Sequence, residues 1–279
     1  MDIAHLKSWI GRTEEERDCA DEGRIAGFAA LLDHDTPPWI PGEAPPLSHW
    51  LWFPTHARQS ELGPDGHPKR GGFLPPVELP RRMWAGSRIR FLAPVPIGSA
   101  IRRVSTIRNV EAKSGKSGAM IFVTVSHEIF ADGTCAVIDE HDIVYREAPK
   151  PGGAAPPVAP DARPSDFRRT IHPDPVLLFR YSALTFNGHR IHYDRDYCRE
   201  VEGYPGLVVH GPLIATLLMD HFLRARPGTR VARFSFRAQR PLFDIAPFDL
   251  CLTETAKGAE IWARNQAGEV AVTSVLETA

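Results

Sequence analysis

Two similar passages constrain the fold of this chain more than any other feature of its sequence. Residues 88–101 read as a strand, a proline-marked bend and the start of a second strand, and residues 233–250 repeat that order. Alternating stretches follow each passage, up to Val144 in the first case and up to Leu276 in the second. A repeat with a period of about 145 residues is typical of an internal duplication. We therefore expect two modules of one architecture.

The segment between the two passages reads as a linker. Residues 150–166 contain five prolines and two glycines and show no apolar period. A chain of 279 residues is long enough for two domains of ordinary size. We predict an N-terminal domain over residues 1–149, a linker over residues 150–166 and a C-terminal domain over residues 167–279.

Both modules carry the pattern of antiparallel strands. Residues 119–130 and 259–264 fit β-strands. The sequences G-K-S-G at 115–118 and N-Q-A-G at 265–268 fit hairpin turns. Each module is therefore predicted to contain a β-meander.

Helical patterns precede the strands in each module. The stretch Thr13–Leu32 has an apolar stripe, with Thr13 as a candidate N-cap, although Gly23 and Gly27 weaken it. The stretch from Gly211 to Leu223 is apolar on most faces, which predicts a buried helix. A long buried helix wrapped by an antiparallel meander is the outline of the hotdog fold. We expect an α+β double hotdog, in which two antiparallel sheets each wrap a central helix.

Composition excludes several functional classes. The formal net charge of −1 includes no basic excess, which argues against a nucleic-acid partner. No apolar run reaches the roughly 18 residues of a membrane span, and the N-terminus lacks a signal-peptide layout. The four scattered cysteines suggest neither disulfides nor a zinc site, so we predict reduced thiols and a cytoplasmic location.

An amide and an imidazole in the second module form the main candidate site. Asn187 lies five residues before His192, and the sequence His210-Gly211-Pro212 opens the apolar helix. Such a set can position water, move a proton and stabilise an oxyanion in one cavity. A core histidine and a turn-forming asparagine are the competing structural explanations.

The run from Thr185 to Asp194, followed by Val209-His210-Gly211, resembles the motif of (R)-specific enoyl-thioester hydratases and MaoC-like dehydratases. The sequence of this run is similar to that of the double-hotdog branch of the family. This branch contains type 2 hydroxyacyl-thioester dehydratases and the mesaconyl-C4-CoA and itaconyl-CoA hydratases. The resemblance covers the second half of the chain, and the first half resembles the degenerate N-terminal domain of that branch.

The resemblance implies a role for each catalytic candidate. His192 would transfer the proton, Asn187 would position water, and the N–H of Gly211 would hold the thioester oxygen. Asn187 departs from the family, which commonly has an aspartate there, and a carboxamide can orient water without acting as a base. His210 is expected to be a local structural partner, and an ordinary glycine at a helix start is the alternative for Gly211.

Arginines are the candidates for binding the substrate. Arg190 could meet a substrate carboxylate or a CoA phosphate, and the resemblance places Arg237 and Arg240 near the CoA entrance. Surface and ion-pair roles are the alternatives for all three arginines. Asp194 is expected to cap a short helix. The pair His189-x-x-His192 has no third ligand at a recognisable spacing, so neither a metal nor another cofactor is expected.

The first half has no matching amide–imidazole motif, so one active site per chain is expected. Its emptied site could widen to accept a bulky acyl group. Aromatic residues that could line such a tunnel, with core packing as the competing role, are Trp50, Trp52, Phe53, Phe73 and Trp84.

These observations favour a hydro-lyase that acts on an enoyl or 3-hydroxyacyl thioester, with acyl-CoA as the favoured carrier. The resemblance alone implies mesaconyl-C4-CoA or itaconyl-CoA as the substrate. The alternatives are a 3-hydroxyacyl-acyl-carrier-protein dehydratase, a hotdog thioesterase and an inactive acyl-thioester-binding accessory protein. A homodimer is compatible with the fold.

Overall fold

The computed structural model describes residues 2–115, 118–147 and 159–279, and ten strands form one sheet across them. Five strands come from the first half of the chain: β1 (Thr13–Cys19), β2 (Arg81–Phe91), β3 (Ala100–Gly115), β4 (Gly118–Ala131) and β5 (Thr134–Arg146). Five come from the second half: β6 (Phe167–Ile171), β7 (Val231–Ala238), β8 (Phe248–Thr255), β9 (Gly258–Asn265) and β10 (Val270–Thr278).

The two halves of the sheet have the same strand order. The first half runs β1-β3-β4-β5-β2 and the second runs, from its outer edge, β6-β8-β9-β10-β7. The strands β2 and β7 pair antiparallel, from Gly86 opposite Arg237 to Arg90 opposite Arg233, and thereby join the halves edge to edge. The predicted α+β double-hotdog class is confirmed, with the two sheets fused into one.

Four α-helices lie against or beside this sheet: α1 (Ile3–Lys7), α2 (Glu22–Leu31), α3 (Pro175–Thr185) and α4 (Gly211–Ala225). The helix α4 is buried over all residues from Leu213 to Leu223, as its all-round apolar sequence predicts. Pro212 fits the first turn because a helix has no use for an N–H donor there. No helix among the described residues is long and apolar enough to cross a membrane.

The predicted helix over Thr13–Leu32 is wrong in its first part. Thr13–Cys19 is an edge strand paired with β3, and its alternating exposure has the period of a strand. The acidic side chains that suggested a helix start instead form ion pairs with the neighbouring strand, as Glu16 does with Arg103. The helix α2 begins later, with Asp21 as its N-cap in place of Thr13. An added Cβ at Gly27 would lie 3.1 Å from Leu184, so this glycine allows close packing on α3.

The two predicted strands and the second predicted turn are confirmed. The stretches 119–130 and 259–264 lie within β4 and β9, and the N–H of Gly268 closes the turn on the carbonyl of Asn265. The central residues of the turn at 115–118, and most of the linker at 150–166, lie outside the described residues. The bounds of the two domains stay a prediction.

Candidate active site

A cavity of about 860 Å³ lies between the two halves and is lined by both. From the second half, α3 and the loop after it contribute Tyr181, Ser182, Phe186, Asn187 and Arg190, and α4 contributes Pro212. From the first half, the aromatic residues Trp50, Trp52, Phe53 and Trp84 line the cavity, as the sequence suggested. Phe73 does not line it and packs in a separate apolar cluster under β3 and β4.

Asn187 reaches the cavity because α3 ends immediately before it. Phe186 takes a left-handed conformation, with φ of 52°, and the N–H of Asn187 then bonds back to the carbonyl of Ser182 at 2.8 Å. The side-chain Oδ1 of Asn187 accepts the N–H of His189 at 3.0 Å. The carboxamide therefore shapes the turn, and it lines the cavity at the same time.

His192 lies on a short 3₁₀ turn, Arg190–His192, and is only 7% exposed. Its Nδ1 is 2.7 Å from the carbonyl of Val208, which fixes the proton on Nδ1 and leaves Nε2 as the acceptor. Burial lowers the pKa of His192 to about 4, against the opposing effect of that hydrogen bond. The imidazole is therefore neutral near pH 7. The ring of His192 does not itself line the large cavity, but it contacts the ring of His189 edge-on at 5.4 Å between centroids.

His210 packs directly against His192. The two rings stack at 3.5 Å between centroids and 19° between planes. The Nε2 of His210 is 2.8 Å from the hydroxyl of Ser182, while its Nδ1 is buried with no partner among the described residues. Burial and the neighbouring imidazoles of His192 and His189 hold the pKa of His210 well below its usual value. The expected role as a local structural partner agrees with this geometry.

A loop of the first half meets the loop of the second half that carries Asn187 and His192, a contact that the sequence did not reveal. The N–H of Arg190 donates to the carbonyl of Asp65 at 2.9 Å. Gly66, at φ of +88°, lies so near the chain that an added Cβ would be 2.0 Å from the carbonyl oxygen of Gly188. The imidazole of His67 packs on that of His189 at 4.0 Å between centroids.

This contact also creates the one group among the described residues that could hold a metal ion. The ligand atoms of Asp65, His67 and His189 lie within 4.8 Å of one another. No metal is expected from the sequence, where the pair His189-x-x-His192 lacks a third ligand at a recognisable spacing. The Nδ1 of His67 is 3.0 Å from Asp65. Burial lowers the pKa of His189 to about 2, so its ring is neutral and able to accept a ligand or a hydrogen bond.

Gly211 opens α4 next to the cavity-lining Pro212. An added Cβ at Gly211 would meet nothing within 4 Å, so open space lies in front of this position. None of the hydrogen bonds among the described residues uses the N–H of Gly211. A free N–H at a helix N-terminus, backed by the helix dipole, suits a developing negative charge.

The three candidate arginines occupy different surroundings. Arg190 lines the cavity, pairs with Asp194 at 2.7 Å and stacks over the ring of Tyr197. Arg240 pairs with Glu269 at 3.4 Å, and Arg237 lies in a shallow depression on the outer face of the sheet. Neither Arg237 nor Arg240 is among the described residues that line the cavity. Asp194 also caps the turn at Tyr197, as expected.

Comparison with known proteins gives this arrangement a context. Residues 47–244 match the family described as hydroxyacyl-thioester dehydratase type 2. The chain is 47% identical over 278 residues to the mesaconyl-C(4)-CoA hydratase of Chloroflexus aurantiacus, with 99% of each chain covered.

Two solved structures support the fold. A MaoC-like dehydratase from Phytophthora capsici has a TM-score of 0.70 at 12% identity, and the match covers 100% of this chain and 99% of that one. A Mycobacterium tuberculosis protein with a double hotdog fold has a TM-score of 0.58 at 14% identity, and 96% of each chain is covered.

Proposed function

We propose that this chain, which belongs to the hydroxyacyl-thioester dehydratase type 2 family, is a hydro-lyase that adds water reversibly to an acyl-CoA thioester with a conjugated double bond. The resemblance predicted from the sequence is confirmed by the family match. Mesaconyl-C4-CoA is the favoured substrate because the C. aurantiacus relative is a mesaconyl-C(4)-CoA hydratase. The observation that carries the chemistry is His192, a neutral, buried imidazole whose Nδ1 proton is fixed by Val208.

In the proposed reaction His192 is the only titrating catalyst. The oxygen of water adds to the β-carbon while Nε2 of His192 takes the proton, and the π electrons move onto the thioester oxygen. The N–H of Gly211 donates to that enolate oxygen. The imidazolium then returns its proton to the α-carbon, which restores the thioester and the neutral imidazole.

The low pKa of His192 suits this sequence. A buried imidazole is a weak base towards bulk protons, yet the imidazolium forms beside a new enolate whose negative charge stabilises it. The same burial makes the imidazolium a stronger acid than a solvated one, which favours transfer of its proton to carbon. Asn187 supports the step by orienting water through its carboxamide rather than by taking a proton.

The rim of the cavity suits the pantetheine arm of CoA. Phe179, Phe186 and Tyr193 are exposed large side chains that line the cavity. Arg190 is the candidate for a phosphate contact because it alone of the three arginines lines the cavity. The carrier could also be an acyl carrier protein, and the cytoplasmic location and homodimer stay predictions from the sequence.

The test follows the absorbance of the conjugated thioester during hydration of mesaconyl-C4-CoA. We expect His192→Gln to lower kcat/KM by about 10³-fold, which is within the usual range for a general acid–base group. The control is His172→Gln, because His172 is exposed and lies between β6 and α3, away from the cavity. Unchanged hydration by His192→Gln would refute the catalytic assignment. Release of free CoA from saturated acyl-CoA would indicate a thioesterase instead.

A further inference from the structure

The inner face of the first half-sheet carries a row of polar side chains where a two-residue period calls for apolar ones. Ser105 on β3 pairs in register with His127 on β4, and His127 pairs with Asp139 on β5. These side chains share the face of Ile101 and Ile129, which belong to the main core. Burying polar groups among apolar ones costs free energy unless the polar groups form hydrogen bonds or ion pairs.

Asp139 organises this row. Its carboxylate is fully buried, and its Oδ2 lies 3.1 Å from Nε2 of His49, 2.8 Å from Nε1 of Trp50 and 2.7 Å from Nε2 of His141. Burial alone would raise the pKa of Asp139, but the imidazoles of His141 and His49 outweigh it and hold that pKa well below the usual value. The ionised carboxylate can accept a hydrogen bond from each of these three ring nitrogens.

Two imidazole nitrogens of the row are open. His127 uses Nδ1 for the hydroxyl of Ser105 at 2.9 Å, and His141 uses Nε2 for Asp139. Among the described residues, neither Nε2 of His127 nor Nδ1 of His141 has a hydrogen-bond partner. The two rings are 4.4 Å apart between centroids, and both residues are half-buried and line the large cavity.

Arg103 brings a guanidinium to the same wall. It lines the cavity, lies 4.8 Å above the ring of Phe53 and pairs through Nη2 with Glu16 on β1. Its Nε is buried without a partner among the described residues. The guanidinium of Arg103 and the imidazoles of His49, His127 and His141 therefore share this wall with the carboxylates of Asp139 and Glu16.

We propose that Arg103, His127 and His141 form a subsite for the free carboxylate of a dicarboxylic acyl group. This cavity wall lies in the first half, and Asn187 lines the same cavity from the second half. The proposal rests on the proposed function, because a mesaconyl thioester keeps one free carboxylate. Donors from His127 and His141 would contact its oxygens, and Arg103 would add charge.

The test compares the binding of two unreactive thioesters by titration calorimetry. Succinyl-CoA and butyryl-CoA have acyl chains of equal length that differ by a carboxylate in place of a methyl group, and neither can be hydrated. We expect the wild-type chain to bind succinyl-CoA at least about 10-fold more tightly, in keeping with a charge-assisted contact. His127→Leu and Arg103→Met should each bring that ratio close to one without changing the Kd of butyryl-CoA.

The control is Arg108→Met, since Arg108 is on the same strand and is exposed, paired with Glu128 at 3.3 Å. An unchanged Kd for butyryl-CoA shows that a variant is folded. A wild-type ratio near one, or equal weakening of both ligands in the variants, would overturn the subsite. Because the ratio needs no turnover, it stands apart from the proposed function, which fails separately if mesaconyl-C4-CoA is not hydrated.

Discussion

The contact between Gly66 and Gly188 links the first half to the catalytic loop, and the substitution Gly66→Ala tests it. A Cβ at Gly66 would lie 2.0 Å from the carbonyl oxygen of Gly188, so the backbones must separate by about 1.4 Å to reach ordinary contact. The positive φ adds about 1–2 kcal/mol of strain for a residue with a side chain. The loop that must move holds Asn187, His189 and the turn of His192.

A misplacement of about 1 Å at a reacting group can cost about 10²-fold in rate. We therefore expect Gly66→Ala to lower kcat/KM for mesaconyl-C4-CoA by about 10²-fold, measured by the loss of conjugated absorbance. Gly71→Ala is the matched control, because Gly71 also has a positive φ, +97°, but an added Cβ there meets nothing within 4 Å. Equal losses in the two variants would mean that backbone strain, and not the contact, governs activity. A Gly66→Ala variant with wild-type activity would refute the contact itself.

Four further outcomes follow from buried charges and neutral imidazoles. Because His192 has a pKa lowered by burial to about 4 and must be neutral to act, kcat/KM should be level from pH 8 to about pH 5.5 and fall below about pH 4; a fall centred near pH 6.5 would contradict this. Between about pH 6.5 and pH 4 the imidazole of His192 is protonated in the unfolded chain and neutral in the folded one. The free energy of unfolding, measured by urea titration, should therefore fall as the pH drops through this range. Asn187→Asp should raise the pKa of His192 by placing a carboxylate nearby, which moves the acid limb of the pH–rate profile to higher pH; an unmoved limb would place the two groups too far apart to interact. Asp220→Asn should lower the free energy of unfolding by about 3 kcal/mol, since the buried Asp220 binds His34, Arg169 and Arg224, whereas Glu254→Gln at an exposed ion pair should change it by less than about 1 kcal/mol in the same denaturant titration.

Local sequence predicted those elements whose stability has a local cause. The helix α4 follows from its uninterrupted apolar surface, and the strands β4 and β9 follow from alternation between turn residues. The edge strand Thr13–Cys19 was missed because its acidic side chains are neutralised by Arg102 and Arg103, which lie far away in sequence. A run of carboxylates resembles the first turn of a helix until its partners are known.

The site was predictable only where its residues are close together in sequence. Asn187, His192 and Gly211 form one motif, whereas the approach of Asp65 and His67 to His189 depends on a contact between loops more than a hundred residues apart. The row through His127 and Asp139 had a usable signal, since Asp139 and His141 alternate at the inward positions of a strand. That signal becomes meaningful only when the register places His127 beside them.

The first half lines the cavity although its sequence has no amide–imidazole motif. Pairing of β2 with β7 joins the two half-sheets edge to edge. The cavity then has one wall from strands of the first half and another from α3 and the loop after it in the second half. The second half covers its face with the apolar helix α4, while the first half presents imidazoles, a guanidinium and a carboxylate. Retaining buried polar groups there is costly if the half serves only to complete the fold, because apolar residues of similar size would be more stable. The subsite that we propose accounts for these polar groups, because they would select the acyl group that reaches His192.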